Sequence, residues 1–191
     1  MKRFFFNIIL IILLFSCHKK EETKPVQKPE KEFIDDPLVY EVINAVLEMP
    51  EISEYIPQNM LNLTYSLDYV LKEDREEFYK LTERYFGEND TLHIYNQIEK
   101  SKTNYYKEGY IKDINLIDYD LTKIANSKQL DSLNQSLKKY RPYCSISYPI
   151  FNKHRNMVFI SYGDDGFAKW FFMKKISNKW TLIEVYHEIL Y

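Results

Sequence analysis

Four histidines and two cysteines are the side chains of this 191-residue chain best able to hold a metal, move a proton or attack an electrophile: His18, His93, His154, His187, Cys17 and Cys144. Their spacing brings none of them together. No two histidines stand at a metal-ligand interval, and neither a Cys-x-x-Cys pair nor a Gly-x-Ser-x-Gly elbow is present. The whole chain has only four glycines, which argues against a loop that cradles phosphates. The sequence therefore gives no reason to expect a metal or another cofactor. What remains for acid–base chemistry is Glu184, with His187 nearby. If the stretch from Trp180 to Leu190 alternates as a regular strand, Glu184 shares a side with Trp180, Leu182, Tyr186 and Leu190. His187 then lies on the other side with Thr181, Ile183, Val185 and Ile189. A carboxylate among aromatic rings (Tyr162, Trp170 and Phe172 would be close) is a candidate acid or base if that side is covered. The competing reading is a half-exposed side kept wet by Glu188.

Other chemically suggestive residues have plainer explanations. Asp164-Asp165 between Gly163 and Gly166 has the look of a cation loop. Calcium, however, takes about six to eight oxygens from spaced ligands, and adjacent aspartates point apart, so a hairpin turn is expected. Cys144 alternates with apolar neighbours and reads as a small buried hydrophobe. The 17 tyrosines suit a half-apolar recognition surface, although a general Lys, Asn and Ile bias spreads them along the chain. Asp90-Thr91-Leu92 and Asp131-Ser132-Leu133 resemble a bacterial O-glycosylation sequon, and helix caps and faces account for them equally well.

The N-terminus gives the clearest reading. Lys2 and Arg3 precede a dozen residues from Phe4 to Phe15, apolar except for Asn7, and these are followed by Ser16, Cys17 and the charged run His18-Lys19-Lys20-Glu21-Glu22. That is a secretory signal, too short for a bilayer span of about 20 apolar residues. Leu14-Phe15-Ser16-Cys17 resembles the lipobox of bacterial lipoproteins, departing from it at Phe15, where a small or β-branched residue is usual. The resemblance implies removal of residues 1–16, acylation of Cys17 with fatty chains such as palmitate, and anchoring in the cell envelope. The charged run after the cysteine looks like the signal that sends some lipoproteins to the outside of the outer membrane. Two or more acyl chains anchor stably where one does not, at about 0.8 kcal/mol per buried CH₂.

Residues 17–32 form a Lys/Glu-rich stretch with Pro25 and Pro29 and no core-forming pattern, which is the composition of an extended tether. Loss of Lys2 and Arg3 leaves 24 basic against 28 acidic residues, a net of −4, and this balance speaks against nucleic acid as a partner. With Cys17 acylated, Cys144 has no disulfide partner, so residues 33–191 must fold as one domain on their core alone. Asp36 and Pro37 predict a helix start, and Leu38, Val39, Val42, Ile43, Val46 and Leu47 supply its apolar stripe. A strand is expected near 60–66, and helices over about 68–86, from an Asp90 cap to about 102, and from a Ser127 cap. A further strand is expected over 110–120. After Pro142 the pattern becomes that of consecutive strands: 144–150, 157–162 (apolar on both sides, hence central), 167–176 and 180–189, with turns at 163–166 and 177–179.

Helices followed by an antiparallel meander of about four strands make an α+β fold. The order resembles small helix-plus-curved-sheet folds such as the NTF2-like cone, an analogy that carries no function. The reading that follows is a non-enzymatic, membrane-tethered module that binds a protein, peptide or glycan. The alternatives are a lipid-anchored hydrolase of envelope or nutrient polymers using Glu184 and a histidine, or an immunity-type protein.

Overall fold

The computed structural model describes residues 31–52, 57–62, 64, 75–87, 91–102, 104–118 and 127–190. The lipobox, most of the tether, the helix start expected at 68–74 and the Asp90 cap lie outside the described residues. Lys31–Tyr191 forms one compact unit, a mixed α+β domain.

The first helix, α1 (Pro37–Leu47), forms as its sequence dictates. Asp36 accepts the N–H of Leu38 through its side chain at 3.1 Å, and Pro37 sits in the first turn, where its missing N–H costs nothing. Val39, Val42, Ile43 and Val46 are fully buried along one face. Helices α2 (Arg75–Phe86) and α3 (Thr91–Ser101) bury narrower stripes, Phe78 and Phe86 on one and Ile94 and Ile98 on the other. In α4 (Ser127–Leu137) Ser127 is the first helical residue rather than the expected cap.

Nine short to medium strands are described. They are β1 (Glu32–Phe33), β2 (Asn59–Leu61), β3 (Asn104–Tyr105), β4 (Asn115–Ile117), β5 (Tyr143–Ile146), β6 (Ile150–Phe151), β7 (Met157–Gly163), β8 (Phe167–Ile176) and β9 (Lys179–Leu190). The main sheet runs β4-β2-β5-β7-β8-β9, and β6 continues the line of β5 along the same edge of β7. β7, β8 and β9 form the expected antiparallel meander. The sheet as a whole is mixed: β2 lies between β4 and β5 and runs parallel to both, so the strands do not all follow the helices. The strand expected over 110–120 is only Asn115–Ile117, and the one near 60–66 is Asn59–Leu61.

The sheet is covered on both faces, which explains why β7 is buried at six consecutive positions. On one face α1 packs over Met60, Ile146, Val158, Ile160, Phe171 and Met173. On the other, Phe78, Phe86, Ile94 and Ile98 from α2 and α3 pack over Phe159 and Phe172. Phe159 meets both Phe78 and Phe172 at ring separations of 5.0 and 4.8 Å. Among the described residues no helix is long and apolar enough to cross a membrane.

Candidate functional site

A hollow lies beyond the carboxyl ends of the parallel strands β2 and β4, where the next residues are Asn62 and Asp118. Its volume is about 490 Å³, within the usual span of ligand sites of roughly 300–1,000 Å³. Clefts at the carboxyl ends of parallel strands are favoured ligand positions because loops and polar side chains converge there.

Four separate stretches of chain build it. β1 and β3 form a two-stranded parallel sheet that sets Phe33 opposite Tyr105, with ring centroids 6.4 Å apart. Lys31 lies over the Tyr105 ring at 4.9 Å and pairs with Asp118 at 2.7 Å. Asn62 is the hinge of the arrangement. It is 5 % exposed, its backbone N–H donates to the Ile117 carbonyl at 2.7 Å, and its side-chain oxygen accepts the N–H of Tyr106 at 2.8 Å. Its amide nitrogen donates to Asp118 at 3.3 Å.

Tyr40 secures the wall from behind. Its hydroxyl donates to the Ile34 carbonyl at 2.8 Å and accepts the N–H of Lys107 at 2.9 Å. Phe33, 45 % exposed, and Leu116 supply apolar surface, and Glu108 stands at the rim.

Polar groups around the hollow are hydrogen-bonded or ion-paired to one another. Among the described residues no histidine or cysteine lines the cleft. Tyr106 is fully buried, its hydroxyl donates to the Ile146 carbonyl at 3.1 Å, and burial holds its phenol well above the ordinary value, so it keeps its proton. Lys107 is engaged by Asp35, whose hydrogen bond raises its pKa and keeps the ammonium charged. The result is a set of fixed donors and acceptors beside an aromatic wall.

The residues singled out from the sequence lie elsewhere. Residues directly opposite each other in β8 and β9 share a face, and two register shifts, at Ile183 and Tyr186, break the alternation of β9. Glu184 therefore faces Phe172 on the α2–α3 side, whereas Trp180 and Leu182 belong to the α1 side. His187 faces Trp170, at a ring separation of 5.5 Å, on the same side as Glu184. The expected placement of the two on opposite sides is thus corrected. Glu184 is half-buried and His187 exposed, so neither is enclosed.

Asp164 forms the expected turn, accepting the N–H groups of Gly166 and Phe167 at 2.8 and 3.2 Å, and Asp165 pairs with Arg141 at 3.0 Å. Cys144 is fully buried in β5, and burial, with the Asp164 charge adding to it, pushes its thiol far above the ordinary value. His93 is half-buried on α3 and His154 exposed in the turn before β7. Among the described residues no three His, Cys, Asp or Glu side chains group as metal ligands.

Lys31, Phe33, Asn62 and Asp118 were not candidates on sequence grounds. They come from distant positions and share no spacing. The one available signal was Asn62 itself, a polar residue between Leu61 and Leu63. No protein-family model, curated protein or solved structure matches the chain.

Proposed function

We propose that the protein is an extracytoplasmic lipoprotein that presents a ligand-binding domain from the membrane. Cys17 carries the acyl anchor, the residues from there to Glu30 give reach, and the cleft beyond β2 and β4 receives the ligand. The observation that carries the binding reading is Asn62. It is a buried amide fixed by Tyr106 and Ile117 and turned towards Asp118 at the edge of a hollow with an aromatic wall. Fixed polar groups beside apolar surface suit recognition. The likeness to NTF2-like cones rests on the order of helices and strands and adds nothing to this reading.

The anchor is tested by palmitate labelling and fractionation of the producing cells. Wild-type protein should take the label and sediment with membranes. Cys17→Ala should lose the label and keep an uncleaved leader. A labelled Cys17→Ala protein, or a wild type found entirely in the soluble fraction, would refute the anchor.

A further inference from the structure

We infer that the cleft binds a sugar ring of a glycan, neutral or amino-substituted, stacked on Phe33 and hydrogen-bonded by Asn62 and Asp118; this rests on the cleft being the ligand site proposed above. The ligand class follows from three features of the cleft, starting with charge. Lys31 is opposed by Asp118 at 2.7 Å and Lys107 by Asp35, while Glu108 adds a further negative charge at the rim. With the cations already paired, the hollow offers no net positive field to a phosphate or carboxylate, and the two acids beside it repel one.

The second feature is hydrogen-bond polarity. Asn62 presents an amide donor and Asp118 carboxylate acceptors, joined to each other at 3.3 Å. Lys31 donates to the far oxygen of Asp118. A neighbouring pair of hydroxyls, each able to donate and accept, can satisfy an amide and a carboxylate together, which neither an anion nor an ammonium can do. The site is ordered in advance: the amide is held by the Tyr106 N–H at 2.8 Å, so little freedom is lost on binding.

The third feature is the wall. Phe33 is fixed by strand pairing and by contact with Tyr105, yet nearly half of it stays exposed. A rigid exposed ring beside polar groups matches a ring with one C–H face and a rim of hydroxyls. An extended peptide would need a strand edge to pair with. The edges here are β4, with three residues, and the two-residue strands β1 and β3, too few backbone groups for strand addition.

The test uses the full-length protein purified in detergent. It is applied to an array of defined neutral and amino-sugar oligosaccharides, with a set of tripeptides and inorganic phosphate as comparisons. At least one oligosaccharide should bind. Phe33→Ala should weaken it tenfold or more, Phe33→Trp should retain it, and Asp118→Asn should weaken it several-fold. Both positions are exposed enough to leave the melting temperature nearly unchanged. Absence of oligosaccharide binding, or binding indifferent to Phe33→Ala, overturns the glycan assignment. Tripeptide or phosphate binding that Phe33→Ala abolishes overturns the ligand class while leaving the cleft as a binding site. Binding of any probe that ignores both Phe33 and Asp118 overturns the cleft as well.

Discussion

Trp180 shows how far a single side chain can depart from ideal chemistry inside a well-packed domain. It is 6 % exposed, packs against Phe151 at a ring separation of 6.2 Å and has the Lys175 ammonium 5.8 Å from its ring centroid. Its indole N–H is buried with no acceptor among the described residues. Leaving a buried donor unpaired costs about 1–3 kcal/mol, so the ring stabilises through area and contact and loses part of that gain through its nitrogen. Trp180→Phe keeps an aromatic ring and deletes the donor. Its stability in urea should stay within about 1 kcal/mol of the parent, because the lost area and the removed penalty offset each other. Trp180→Ala, which leaves a cavity, should cost about 3–5 kcal/mol. If the two variants unfold at the same urea concentration, the indole N–H is contributing a bond and the account fails.

At the scale of elements, periodicity revealed what local rules control. The Asp36-Pro37 start of α1 and the double-sided burial of β7 were both readable, since capping and strand patterning depend on neighbours in sequence. The faces of β9 were not. Alternation is a two-residue rule, and extra residues at Ile183 and Tyr186 invert it twice, for reasons that lie in packing against β8 rather than in β9 itself. The cleft was hidden for a related reason: residues 31–33, 62, 106 and 118 meet only once β1 pairs with β3 and β2 with β4.

One local choice runs against its geometry and can be improved. Ser177 and Asn178 link β8 to β9 with φ of 48° and 66°, a two-residue turn with both central residues left-handed. Asn-Gly suits that turn, whereas serine there is strained. Ser177→Asn combined with Asn178→Gly should raise stability by about 1 kcal/mol, visible as roughly 2–4 °C in melting temperature. An unchanged or lower melting temperature would show that the strain is relieved elsewhere.

For the molecule as a whole, buried phenols and a buried thiol set a limit on alkaline stability. Burial raises Tyr40, Tyr106, Tyr143 and Tyr148 above the ordinary phenol value of 10.0, Tyr106 most of all, and raises the Cys144 thiol above its ordinary 9.0. Each group holds its proton in the folded state at a pH where the unfolded chain releases it. The folded state then binds more protons than the unfolded one, so stability is complete below the unfolded value and falls as pH rises through it. For the two fully buried groups, Cys144 and Tyr106, this removes about 1.4 kcal/mol per pH unit each once the unfolded form has ionised. Cys144 acts alone from near pH 9, and Tyr106 roughly doubles the slope above pH 10. Urea midpoints taken from pH 8 to pH 11 should therefore hold steady, then bend downward near pH 9 and more steeply above 10. Cys144→Ala, whatever its offset at pH 8, should abolish the bend near pH 9, so that the decline starts near pH 10 and runs less steeply than in the parent, whereas a flat parent profile to pH 11 would mean that these groups are not shielded from water as their burial requires.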